Sequence, residues 1–228
     1  MKRWLVLFED GAWSSLRPLT DLVTVPALAF GGSTLGARWE RASGLPLLRR
    51  ETRPIGPASG GAGAEGAAAG DEAVVVNAAA LHGPWFAQVT DSAASALWLS
   101  GERVVAARLP ISVLRTLAGK GEAFAAALRE LGLASHAVEA RCVTYPWDLI
   151  AWNVEALDHD LAGDRLERRG DVHRLAALEN ANAIEVAAGA RVEAFAVLDA
   201  RGGPIAVRAG ARIAAHTLVE GPCVVGER

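Results

Sequence analysis

The side chains best placed for chemistry stand at the ends of apolar runs. Trp4-Leu5-Val6-Leu7-Phe8 is followed by Glu9-Asp10-Gly11, and Ala73-Val74-Val75-Val76 is followed by Asn77. A continuous apolar run of this length reads as a strand buried on both faces. In open α/β sheets, ligands are met just beyond the carboxyl ends of such strands. The Asp10 carboxylate can accept hydrogen bonds or hold a cation, and the Asn77 amide can both donate and accept. A third acid, Asp148, sits where Tyr145-Pro146-Trp147-Asp148 opens a helix with proline in its first turn. An acid there is favoured by the helix dipole whether or not it meets a ligand.

The elements that must position these residues fall into two patterns. Up to about residue 161, apolar runs alternate with helical stretches, as in a doubly wound α/β domain. Thr34–Arg41 reads as a short helix docked by Leu35 and Trp39. Ala96–Leu99 and Val104–Ala107 flank Ser100-Gly101 as a hairpin. Glu122–Leu131 is an amphipathic helix stopped by Gly132. Trp147, Ile150, Val154, Leu157 and Leu161 recur at helical spacing and predict one apolar stripe for packing. Residues 56–72, rich in glycine and alanine, offer almost nothing to bury and are expected to be a mobile loop.

From Val186 onward the period changes. Val186, Val192 and Leu198 are six residues apart; after a nine-residue step, Val207, Ile213, Val219 and Val225 resume the interval. Ala190, Ala196, Gly202, Ala211, Thr217 and Cys223, four residues after these positions, are small. Strands of a sandwich would alternate at period two instead. A six-residue unit marks a parallel β-helix, three units closing each triangular coil. The break at Gly202-Gly203-Pro204 reads as a loop pushed out of a corner. Because the chain stops as a new unit begins, it is expected to be the N-terminal part of a longer protein. The boundaries are therefore 1–161 for the α/β domain, 162–183 for a polar linker and 184–228 for an incomplete β-helix.

Composition narrows the partners. With 51% hydrophobic residues the chain can bury a sizeable core, and a net charge of −3 with pI near 6.0 gives no reason to expect nucleic acid or an anionic membrane. Cys142 and Cys223 have no metal-ligand spacing and suit free thiols in a reducing cytoplasm. MKRWLVLFED has too short an apolar run for a signal peptide. His82 and His216 read as loop and surface residues.

Several stretches together resemble a known family. They are Leu7-Phe8-Glu9-Asp10; Leu16 with Pro18-Leu19-Thr20, Gly31 and Ala37-Arg38-Trp39-Glu40; Val76-Asn77; and Tyr145-Pro146-Trp147-Asp148 with Asn153 and Asp160. Gly203-Pro204 and Glu220-Gly221-Pro222 extend the likeness. The chain resembles sugar nucleotidyltransferases related to bifunctional N-acetylglucosamine-1-phosphate uridyltransferase/glucosamine-1-phosphate N-acetyltransferase. The resemblance implies a Rossmann-like nucleotidyltransferase domain, then a left-handed parallel β-helix of hexapeptide repeats.

It also implies transfer of a nucleotidyl group from a nucleoside triphosphate to a sugar-1-phosphate, forming UDP-N-acetylglucosamine, with thymidylyl transfer to glucose-1-phosphate as a close variant. Magnesium is the implied cofactor, with acetyl-CoA for an acyltransferase part beyond residue 228 and a homotrimer when complete. Asp10, Gly11, Thr20 and Asn77 take nucleotide-binding positions, and Arg17 and Asp148 catalytic ones, Asp148 also as metal ligand. The loop GAWSSLRPLT departs from the glycine-rich phosphate cradle of the wider superfamily, having only Gly11. Arginines usual after Leu-Thr are replaced by Asp21–Ala29, and asparagine stands at position 77 where the superfamily has aspartate. These departures leave a second reading, a catalytically degenerate regulatory or assembly domain on a hexapeptide acyltransferase.

Overall fold

The computed structural model describes residues 2–55, 66–162 and 167–227. They form two compact units, one from Met1–Ala29 and Ser33–Leu149, the other from Phe30–Gly32 and Ile150–Arg228.

In the first unit, β1 (Arg3–Phe8) lies between β2 (Leu47–Glu51) and β3 (Glu72–Asn77), parallel to both. The expected hairpin is β4 (Ala96–Ser100) with β5 (Arg103–Pro110), and β5 runs antiparallel to β3. β6 (Ala134–Ala137) joins β4 in parallel, giving the order β2-β1-β3-β5-β4-β6. The sheet is thus mixed, with a parallel core.

The apolar runs are continuous because both faces are covered. Trp4, Val6 and Phe8 pack with Val75, Leu109 and residues of α3 (Ile111–Thr116) and α4 (Phe124–Glu130). Leu5 and Leu7 point the other way, toward Val74, Trp98 and residues of α1 (Leu35–Ser43) and α2 (Phe86–Asp91). Helix α1 starts where the Thr34 hydroxyl accepts the Ala37 N–H at 3.2 Å, and Trp39 docks it by donating to the Ala80 carbonyl at 2.7 Å.

Of the stretch 56–72, residues 56–65 lie outside the described residues. Its end is a fixed turn: Asp71 accepts from the Lys2 backbone N–H, the Trp4 indole and the Ala68 N–H at 2.8, 3.0 and 3.1 Å. These bonds, the Lys2 N–H first, hold the Asp71 carboxyl down at about 2.

The division between the units falls inside α5 (Pro146–Ala151), which α6 (Asn153–Leu161) follows. The expected packing stripe is corrected here. Trp147, Ile150 and Val154 are exposed, and the buried positions are Leu149, Ala156, Leu157 and Leu161. The helix breaks at Trp152, so residues before and after it no longer share one face. Asn153 and Asp160 accept the Gly31 and Gly32 N–H groups at 2.9 Å each, holding residues 30–32 in this unit.

Among the described residues, the rest of the second unit holds nine short strands and a 3-10 turn at Ala181–Ala183. The strands are β7 (Asp171–Val172), β8 (Ala177–Glu179), β9 (Ile184–Val186), β10 (Arg191–Val192), β11 (Val197–Asp199), β12 (Ile205–Val207), β13 (Arg212–Ile213), β14 (Leu218–Glu220) and β15 (Cys223–Val225). In turn they join three parallel sheets, β7-β10-β13, β8-β11-β14 and β9-β12-β15. Register places Val172, Val192 and Ile213 in one column, Leu178, Leu198 and Val219 in the next, and Val186, Val207 and Val225 in the third. Five of the seven aliphatic positions of the six-residue pattern are buried in one core, and Val219 and Val225 pack against it, partly buried.

In the stretch 162–183, expected as a linker, residues 163–166 lie outside the described residues, and Asp171–Val172 and Ala177–Glu179 pair in the sheets. After β11 the chain bends through Arg201-Gly202-Gly203, and after β14 through Gly221-Pro222. These bends nest: a Cβ on Gly221 would collide with the Gly203 carbonyl, and one on Gly203 would lie 2.8 Å from Pro222.

Two outcomes test this fold. Leu198→Ala, at a fully buried column position, is expected to cost about 2–5 kcal/mol in urea denaturation. The Asp71 carboxylate stabilises the fold fully above its unfolded value of 3.8, and this contribution is lost as pH falls toward 2. Asp71→Asn should therefore flatten the pH dependence of stability in that window.

Candidate active site

The carboxyl ends of β1 and β3 lie side by side, Phe8 opposite Asn77, so Asp10 emerges next to Asn77. The Asn77 side chain donates to Asp10 Oδ2 at 2.8 Å and to the Val104 carbonyl at 3.2 Å, and its own oxygen accepts the Ala79 N–H at 3.0 Å. Because β5 runs antiparallel to β3, its first residue, Arg103, arrives at the same edge. Arg103 grips Asp10 with both arms, Nε to Oδ2 at 2.7 Å and Nη2 to Oδ1 at 2.9 Å. The Ala12 N–H adds a bond to Oδ1 at 3.3 Å, so each carboxylate oxygen accepts two bonds.

Burial works against the Arg103 charge. Its bonds and attraction to Asp10 outweigh that effect and hold the guanidinium above its ordinary pKa. Cys142 lies beside it, and burial pushes this thiol up despite the nearby charge. An open cleft of about 490 Å³ lies over this edge, lined by Asp10, Gly11, Ser100, Glu102, Arg103 and Arg129 among others.

The loop after β1 is fastened from within. Glu9 is fully buried; Oε1 accepts the Arg53 N–H at 2.7 Å, and Oε2 accepts Arg53 Nη1 at 2.8 Å and the Val25 N–H at 2.9 Å. Arg53 Nη2 donates to the carbonyls of Thr20 and Val23, and its guanidinium lies 4.1 Å from the centre of the Trp13 ring. The buried Thr20 hydroxyl donates to the Trp13 carbonyl at 2.9 Å. One ion pair therefore ties residues 13, 20, 23 and 25 to the sheet edge.

The structure brings together Asp10, Gly11 and Asn77 of the expected site residues. Each of the other three is engaged with partners of its own. Thr20 is a buried brace. Arg17 has a side chain 62% exposed and pairs with Asp21 at 2.6 Å. Asp148 Oδ2 accepts the Thr144 and Tyr145 N–H groups at 2.8 Å each, fixing the turn into α5. Sequence reasoning missed Arg103 because it opens the second strand of a hairpin far along the chain; only the antiparallel register carries it to Asn77. Arg53 was missed because nothing local marks its partner. The signal for Glu9 was weak: an acid directly ending a buried run, where a loop was expected.

The donor set does not fit a resident magnesium ion. Both oxygens of Asp10 are taken, Asp148 is engaged with backbone, and among the described residues no three His, Cys, Asp or Glu side chains converge on a metal position.

A model of the sugar nucleotidyl transferase family matches residues 5–168. The chain belongs to that family. No curated protein sequence matches it. As a sugar nucleotidyl transferase, it carries the Asp10 cleft and, but for Arg3 and Trp4 of β1, the six-stranded sheet inside the matched span, while strands β7 to β15 lie beyond it. Among the described residues, no helix is long and apolar enough to cross a membrane.

If the Glu9–Arg53 pair fastens the loop, Glu9→Gln should cost about 3–5 kcal/mol, as for other broken buried pairs, and a loss under about 1 kcal/mol in urea denaturation would refute that role.

Proposed function

We propose that this sugar nucleotidyl transferase moves a uridylyl group from uridine triphosphate to N-acetylglucosamine-1-phosphate in the cytoplasm, at the cleft beside Asp10. A phosphate oxygen of the sugar phosphate forms a bond to the α-phosphorus. The bond from that phosphorus to the oxygen bridging it to the β-phosphate breaks, and pyrophosphate leaves with the electron pair. Such chemistry rests on positioning and charge neutralisation more than on a protein nucleophile.

The observation that carries the reading is that the family match, residues 5–168, takes in every residue lining this cleft. The cleft volume suits small ligands. Gly11 adds support, because a Cβ there would meet nothing within 4 Å and its φ is not left-handed. The fold itself does not demand glycine at this position, and a bare backbone lets phosphate come close. No step is routed through magnesium, since the carboxylates as arranged do not offer it a place.

The fastened loop favours a second reading. With Thr20 buried and Arg17 exposed and paired, the unit could serve as an assembly module rather than a catalyst. A pyrophosphate-release assay decides: release with uridine triphosphate and N-acetylglucosamine-1-phosphate, or with thymidine triphosphate and glucose-1-phosphate, supports transfer. Silence across a panel of sugar phosphates supports the module.

The cycling of β7 to β15 through three parallel sheets supports reading them as coils of a left-handed β-helix of the acyltransferase type, which would use acetyl-CoA. Exposed Leu175, Phe195 and Leu218 on this unit support assembly into a homotrimer through the β-helix. Sedimentation of the intact protein is expected to give a trimer mass; a monomer would refute the assembly.

A further inference from the structure

We propose that Glu102 is a specificity-determining residue of the cleft, its carboxylate accepting adjacent hydroxyls of a substrate ring. Both substrates of the transfer carry such a ring, the ribose of the nucleotide and the pyranose of the sugar phosphate. The proposal rests on the nucleotidyl-transfer reading and names the group that separates substrates from their deoxy analogues.

The polar side chains lining the cleft differ in what they have left to offer. Asp10 and Arg103 hold one another at 2.7 and 2.9 Å. The Ser100 hydroxyl donates to the Ala140 carbonyl at 3.1 Å and accepts the Ala140 N–H at 3.3 Å. Arg129 of α4 donates to the backbone carbonyl of Glu102. Glu102 shares this lining with both arginines, yet among the described residues its side chain makes no hydrogen bond or ion pair.

The backbone of Glu102, in contrast, is held on both sides. Arg129 fixes its carbonyl, and Asp10 grips the next residue, Arg103, at the start of β5. The hairpin tip therefore presents an unengaged acceptor from a fixed position, so little backbone ordering remains to oppose binding.

What it accepts follows from its chemistry and surroundings. A carboxylate takes hydrogen bonds and donates none, so it suits hydroxyls, and its charge repels phosphate. Among the described residues it joins no cluster of acids, histidines or cysteines that could hold a metal ion. Ala12, Val104, Ala125 and Ala126 supply the apolar part of the lining, and their short side chains leave room for a ring to lie against them. The two oxygens of one carboxylate can then meet two neighbouring hydroxyls of that ring.

Ligand-observed NMR titration with neutral ligands tests this without any phosphate contact. The pairs are uridine against 2′-deoxyuridine, and N-acetylglucosamine against its 4-deoxy analogue. In the native protein, the hydroxylated member of at least one pair is expected to bind roughly tenfold or more tighter than its partner. A preference in the first pair places the ribose at Glu102, and one in the second places the pyranose there. Glu102→Ala is expected to abolish the preference and leave the affinity for the deoxy ligand unchanged. Glu102→Gln, which keeps one acceptor oxygen, is expected to retain part of it. Circular dichroism confirms that each variant is folded, as expected for an exposed residue at a hairpin tip.

Absence of a preference in both pairs would overturn the proposal, as would a preference that survives in Glu102→Ala. Equal weakening of hydroxylated and deoxy ligands by Glu102→Ala would also overturn it, because a side chain that only shapes the cleft acts on both alike. The two readings fail separately. A hydroxyl preference removed by Glu102→Ala, without pyrophosphate release from any sugar phosphate, would sink the transfer reading and leave the ring site standing. Pyrophosphate release without any such preference would do the reverse.

Discussion

The buried pair of Glu9 and Arg53 is the constraint on which the rest of the first unit depends. Removing two charges from water costs several kcal/mol per ion, and attraction alone seldom offsets that. Here both partners are also saturated with hydrogen bonds to backbone: Val25 and Arg53 N–H groups for the acid, the Thr20 and Val23 carbonyls for the base. The stretch after β1 lacks regular structure beyond short 3-10 turns. Without the pair, its backbone would have little to hold it against the sheet.

The neighbouring acid has the opposite fate. Glu9 and Asp10 leave the strand in succession, one drawn into the interior and the other left at a solvent-facing cleft. Each meets an arginine supplied from far along the chain, Arg53 from just beyond β2 and Arg103 from the start of β5. The first pair is sealed at 8% and 0% side-chain exposure, whereas the second keeps 18% and 14% and lines an open cleft. The difference between a brace and a cleft wall lies in access, since the residue types are alike.

Much of the architecture was legible because it is local or periodic. The buried strands show as apolar runs, and Val186 to Val225 show as a six-residue beat. The beat begins earlier, at Val172 and Leu178, but the eight-residue step from Leu178 to Val186, containing a turn at Ala181–Ala183, hides its phase. Helical spacing misled at Trp147, Ile150 and Val154, because a break at Trp152 separates residues that a continuous helix would align. The site was half legible. Asp10, Gly11 and Asn77 follow from strand ends, which the sequence marks. Arg103 and Arg53 follow from strand order and register, which no short window contains. Asp148 and Thr20 carried polar groups that the backbone itself consumed.

The nested bends at Gly203 and Gly221, which lead into β12 and β15, couple these paired strands in a way that hydrophobic columns do not. Aliphatic side chains tolerate exchange of one shape for another, but here main chain rests on main chain with no room for a single carbon. The corner therefore behaves like interlocking teeth: a side chain at position 203 or 221 has no seat unless the backbone of the neighbouring bend gives way.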